Sequence, residues 1–176
     1  AMYRAKATGK NRYYIYNKDL QTEFENRMKI EKNLRGALAN NEFFLYYQPQ
    51  MDILQGKITG FEALLRWKNP ELGFVSPLDF IGIAEETHLI IPIGQWVLRN
   101  ACMFLKKLHD MGYQDMMIAV NVSILQLLQE EFVETVLSTI EESGLRPNQV
   151  ELEITESILV DSYQTIRNRL LELKEA

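Results

Sequence analysis

Three short stretches of the chain carry polar side chains at every second position. In 61–67, FEALLRW, alternation puts Glu62, Leu64 and Arg66 on one side and Phe61, Ala63, Leu65 and Trp67 on the other. In 119–123, Asn121 and Ser123 oppose Val120 and Val122; in 151–155, Glu151, Glu153 and Thr155 oppose Leu152 and Ile154. Parallel strands of α/β folds are usually buried on both faces and read as apolar runs. Carboxylates and an amide recurring near the ends of successive strands therefore suggest a site, and in a (β/α) barrel those ends form the catalytic mouth. Two glutamates and an asparagine are all oxygen donors, which suits a hard divalent cation, Mg²⁺ or Mn²⁺, better than zinc. A plainer reading stays open at this point: each is a satisfied polar group at a strand end, and Glu62 with Arg66 is an ion pair.

The other reactive residue types fit no catalytic spacing. His88 and His109 form no ligand-like pattern, and His109, near Gly112, suits a contact with a helix C-terminus. Cys102 and the pair Met116-Met117 read as packing, and Gly9-Lys10 lacks the spacing of a phosphate-binding loop and reads as a turn.

The elements that must position the polar face follow from periodicity. A basic, aromatic start (1–17) gives way to a helix over 19–41, with Leu20, Phe24, Met28, Leu34 and Leu38 approximately on one face. Strands are predicted over 43–53 and 57–67, antiparallel because only a short Gln55-Gly56 turn joins them. A loop follows over 68–87 with a short helix near 78–86, then a helix over 95–111, a strand over 116–123, a helix over 130–143, a strand over 150–155 and a helix over 161–175. Strands alternating with helices imply parallel βα units in a layered or barrel α/β fold.

The 176 residues carry 19 Lys and Arg against 24 Asp and Glu, a formal net charge of −5. An acidic balance argues against a nucleic-acid polymer as partner, so a phosphate substrate would need a cation to neutralise it. No apolar run approaches the ~20 residues of a membrane span. The start 1–6 has no apolar run behind its charges, so no secretory leader is expected within it. A single cysteine fits a reducing, cytoplasmic setting.

FEALLRW resembles the signature of the EAL domain family, bacterial phosphodiesterases acting on cyclic di-GMP. Further motifs follow in the family's order: Tyr47-Gln48-Pro49, Pro70-Glu71-Leu72-Gly73, Ser76-Pro77, Phe80-Ile81, Ala84-Glu85-Glu86, Asn121-Val122-Ser123 and Glu151 through Ser157. The segment 1–17 separately resembles the tail of a GGDEF (diguanylate cyclase) domain. The resemblance implies a GGDEF tail over 1–17, a linking helix over 18–41 and the N-terminal part of an EAL domain over 42–176. The implied fold is the N-terminal half of a TIM-like (β/α)₈ barrel whose first strand runs antiparallel to the rest. The implied activity is hydrolysis of cyclic di-GMP to linear pGpG with Mg²⁺ or Mn²⁺ at a two-metal site. Carried over, Glu62, Asn121 and Glu153 match metal ligands, Glu62, Glu153 and Glu156 are the catalytic set, and Gln48, Leu64 and Arg66 match dinucleotide contacts. A non-catalytic cyclic di-GMP receptor or dimerisation module is the alternative.

A closed barrel takes about 250 residues, so the 176 present are expected to hold only part of one and to be inactive alone. The family's paired-aspartate motif is expected beyond residue 176. An open sheet edge predicts association with a second copy, edge to edge or by exchange of the N-terminal segment.

Overall fold

The computed structural model describes residues 18–154 and 163–175. The extended stretch read over 12–16 lies outside them. At the centre is a long antiparallel hairpin, β1 (Phe43–Asp52) and β2 (Lys57–Asn69), paired from Phe43↔Trp67 to Asp52↔Lys57. Its turn is closed by Asp52, whose carboxylate accepts from the Leu54 and Gln55 amides at 2.8 and 3.1 Å, and by Gly56 at φ 64°.

Beyond β2 the sheet becomes parallel. β4 (Met117–Val122) pairs with Gly60 to Ala63 of β2, and β5 (Val150–Ile154) pairs with β4, giving the order β1-β2-β4-β5. The first strand is thus antiparallel to β2, β4 and β5, as expected. At Gly60 the approach is too close for a side chain: a Cβ there would lie 2.7 Å from the Met117 carbonyl oxygen. A short strand, β3 (Gly73–Val75), pairs antiparallel with Trp67 to Asn69. It falls in the region expected to be loop, and it exists because β2 runs past the end of its β4 partner. One edge of β2 is therefore shared between β4 and β3, and Leu64 to Arg66 pair with neither.

The helices are α1 (Lys18–Ala37), α2 (Pro77–Glu86), α3 (Ile90–Asp110), a single turn α4 (Ile124–Leu127), α5 (Phe132–Glu142) and α6 (Tyr163–Glu175). Ser76 starts α2 by accepting from the Leu78 amide at 3.3 Å, with Pro77 in the first position. Helix α3 begins five residues before the expected 95. Pro92 falls in its first turn, where a missing N–H costs nothing because that group has no intrahelical acceptor.

The apolar face of the sheet packs on α2 and α3. Phe43, Ala63, Trp67, Ile118, Val120 and Val122 are buried against Phe80, Ile83, Val97, Ala101 and Leu105. Phe43, Trp67 and Phe80 form an aromatic triangle with ring centroids 5.4 to 6.0 Å apart, and each such burial contributes about 1.5–3 kcal/mol. Cys102 is fully buried among them, and burial pushes its thiol up to about 11, so it packs and does not react. His109 is buried, unlike an exposed helix-end group, and its Nε2 lies 3.0 Å from the Met116 carbonyl, fastening the turn into β4. Of the two methionines read as core, Met116 packs on the core and Met117 is exposed.

Candidate active site

Residues directly opposite in paired strands share a face of the sheet. The register sets Gln48 opposite Glu62, Tyr46 opposite Leu64, Phe44 opposite Arg66, and Asn121 opposite Glu153. Every described residue singled out from the sequence therefore lies on one face, the one turned away from α3. Glu62 and Glu153 are half-buried, and Asn121 and Gln48 are exposed. Glu156 lies outside the described residues.

Asn121 Nδ2 donates to Glu62 Oε1 at 2.7 Å, joining β4 to β2 where their pairing has just ended. Glu153 stands beside Asn121 on β5. Its carboxyl is held above the usual carboxylate range, first by burial and then by repulsion from Glu62 and Glu151. The ion pair between Glu62 and Arg66 that the plainer reading allowed does not form. Arg66 instead donates from Nη1 to the Leu65 carbonyl at 2.8 Å and lays its guanidinium 5.2 Å from the centroid of Tyr46. Together with Gln48, Leu64, Tyr47, Phe61 and Phe104, that pair borders a shallow recess at the hairpin.

Glu62 and Glu153 thus repel one another, with the neutral Asn121 amide beside them. Glu62, Glu153 and the Asn121 amide oxygen can supply three oxygen donors of the kind hard cations take. Among the described residues no three His, Cys, Asp or Glu side chains gather closely enough to hold a metal. The cluster is legible only when the asparagine is counted as a ligand.

Some participants escaped the sequence reading. Tyr46, two residues before Gln48 and hence on the same face, had a detectable signal in that spacing. Glu85, named in the Ala84-Glu85-Glu86 motif but given no role there, meets Ser123, which donates from Oγ to Glu85 Oε1 at 2.6 Å across 38 positions of sequence. Ser123 also caps α4, accepting from the Leu125 amide at 3.4 Å while its own amide donates to Gln126 Oε1 at 3.1 Å. The Gln126 amide fits only because α3 has Gly94 facing it; a Cβ there would stand 1.9 Å from Nε2.

A mixed sheet with its first strand reversed and an oxygen-donor cluster along the parallel strands defines a barrel-type α/β protein with a candidate cation site. The chain belongs to the EAL domain family, whose model matches residues 31–176. An uncharacterized signaling protein of Caulobacter vibrioides is 39% identical over 174 residues, 99% of this chain and 21% of that protein. The bifunctional diguanylate cyclase/cyclic di-GMP phosphodiesterase MucR of Pseudomonas aeruginosa is 38% identical over 157 residues, 89% of this chain and 23% of its own length. The chain thus spans about a fifth to a quarter of these curated relatives. Among solved structures, the PaMucR phosphodiesterase in its c-di-GMP complex superposes with a TM-score of 0.78 at 36% identity, covering 84% of this chain and 60% of that one. The α/β fold with its mixed sheet is that of EAL domain structures. Among the described residues no helix is long and apolar enough to cross a membrane.

Proposed function

We propose that this chain contributes to a cyclic di-GMP phosphodiesterase, in which Glu62, Asn121 and Glu153 hold a divalent cation, Mg²⁺ or Mn²⁺. The observation that carries this reading is the convergence of those three oxygen donors from β2, β4 and β5 on one face, with Glu153 electrostatically unsatisfied. The relatives named for cyclic di-GMP hydrolysis supply the substrate. A bound divalent cation would supply Lewis-acid stabilisation of phosphate charge and activation of water.

The chain's own residues do the rest. Arg66, released from Tyr46, offers a planar fork to phosphate oxygens. Gln48 and Leu64 border the recess where the dinucleotide would lie, and Glu156 completes the catalytic set with Glu62 and Glu153. Water adds to one phosphorus, the bond to the 3′ oxygen breaks, that oxygen takes a proton, and linear pGpG is the product. Segment 1–17 is read as the tail of a GGDEF domain and 18–41 as a linking helix, of which α1 forms most. The EAL model begins at residue 31, within that helix, so residues 1–30 lie outside its match. MucR, moreover, is described as bifunctional.

The test is chromatography of cyclic di-GMP incubated with the protein, with and without Mg²⁺ or Mn²⁺, alongside calorimetric titration. Metal-dependent pGpG formation, lost in Glu153→Gln, is expected of the complete domain that contains this chain, whereas the 176 residues alone are expected to give none. Tight binding without pGpG in the complete domain would replace the enzyme with a receptor.

A further inference from the structure

Asn121 sits at a weak point of the sheet. The last β2–β4 pair is Ala63↔Val120, so on that side Asn121 and everything after it lack a strand neighbour. Leu64, Leu65 and Arg66, which would continue the ladder, face a cleft instead, because β3 takes up β2 again only at Trp67. Glu85 of α2 and Ser123 line that cleft together with Asn121. The Ser123 to Glu85 hydrogen bond spans it at 2.6 Å. Ser123 is extended (φ −76°, ψ 147°), so its backbone carries β4 on to the point where its hydroxyl meets Glu85. Among the described residues, the Asn121 side chain bonds to Glu62. Nothing in β2 fixes the backbone that aims it.

We propose that Glu85 is a positioning residue: by accepting from Ser123 it replaces the missing strand contact and fixes the end of β4, so that the Asn121 amide faces Glu62. Glu85 does not itself touch the donor cluster. It is placed by α2, which is tied to α1 through the neighbouring Glu86 and its ion pair with Arg27, so the support reaches the candidate site from outside the sheet. The proposal rests on the cation-site reading for its importance but not for its geometry.

Two readouts on the intact chain separate the two claims. The first is the side-chain amide signal pair of Asn121 in ¹H–¹⁵N spectra without metal; the second is Mn²⁺ affinity by electron paramagnetic resonance. Glu85→Ala leaves the α4 cap intact and is expected to shift the Asn121 signals and weaken Mn²⁺ binding by about 10- to 100-fold, the usual cost of losing a partner behind a ligand. Ser123→Ala, which also removes the α4 cap, should weaken both readouts at least as much, and the double variant should be no worse than Ser123→Ala alone. Glu85→Gln, which keeps an acceptor, should restore both readouts. Melting curves confirm that each variant folds. Asn121 signals unmoved in Glu85→Ala, or Glu85→Gln behaving like Glu85→Ala, would overturn the proposal. Shifted Asn121 signals in a protein that never binds Mn²⁺ would support the positioning role while removing the cation site.

Discussion

Two acidic clusters lie on this sheet, and they are built in opposite ways. Glu42, just before β1, accepts from Trp67 Nε1 and Asn69 Nδ2 at 2.8 Å each and from Asn40 Nδ2 at 3.2 Å. Its backbone binds Ala37 and Lys68, while Asn69 Oδ1 receives the Glu71 and Leu72 amides at 2.9 Å. Burial would raise the Glu42 carboxyl, but its three side-chain donors outweigh that and pull it below the usual range. Glu153 has the same functional group on the same sheet, and burial with two like-charged neighbours drives it the other way. A carboxylate surrounded by donors holds elements together: here α1, β1, β2 and the turn into β3. One surrounded by carboxylates holds nothing together, and a perturbation of that kind is what makes Glu153 a candidate site residue.

The contrast predicts its largest effect in stability. Glu42→Ala strips the acceptor from a buried indole N–H and from the buried Asn69 amide, and should lower the unfolding free energy by about 2–3 kcal/mol in urea titrations. Glu153→Gln should leave it unchanged or raise it by under about 1 kcal/mol, because a repelled charge is removed. Equal losses in the two variants would abolish the distinction.

The pH dependence carries opposite signs. Glu42 has a lowered folded pKa, so its contribution is present above the ordinary carboxylate value of 4.5 and disappears as pH falls through the folded pKa below it. The gap between wild type and Glu42→Gln should therefore close in acid. Glu153 has a raised folded pKa, so its ionisation costs stability as pH rises from 4.5 through that higher value. The advantage of Glu153→Gln should open over that window. Calorimetric melting across pH 3 to 7 reads both trends from one series.

Much of the second cluster was legible in the sequence, and almost none of the first. Alternation with period two assigns Glu62, Leu64, Arg66, Asn121 and Glu153 to faces before any strand partner is known, since a strand has only two faces. The register then had to agree, and it does. The Glu42 cluster is built from Asn40, Trp67 and Asn69, which meet only because the β1–β2 hairpin closes with Phe43 opposite Trp67. No local pattern announces that. Strand β3 was missed for a related reason: Gly73–Val75 is too short to show alternation and is held by the overhang of β2. The start of α3 at Ile90 instead of 95 was missed because the apolar periodicity was read only from Gln95 onward.

Cation binding sharpens the comparison at a smaller scale. Mg²⁺ or Mn²⁺ at ten times its Kd should stabilise the fold by about 1.4 kcal/mol, through binding the native state alone. Melting curves with and without metal should show this increment vanish in Glu153→Gln and survive in Glu42→Gln. Loss in both would mean that the metal senses general folding and not the repelled pair.

The smallest stability effect belongs to Arg66, which belongs to neither cluster in the free protein. Its guanidinium rests on Tyr46 and its Nη1 on the Leu65 carbonyl, contacts at a partly exposed site worth about 0.5–1 kcal/mol. Arg66→Lys should cost no more than that in urea titrations. It keeps the charge but loses the planar fork, so binding of cyclic di-GMP by calorimetry should weaken roughly tenfold, the loss of about one charge-assisted hydrogen bond. A side chain that matters little to the fold and much to the ligand lies on the site's side of the contrast. If Arg66→Lys left affinity untouched and lowered stability by 2 kcal/mol or more, Arg66 would instead be a structural group like Glu42.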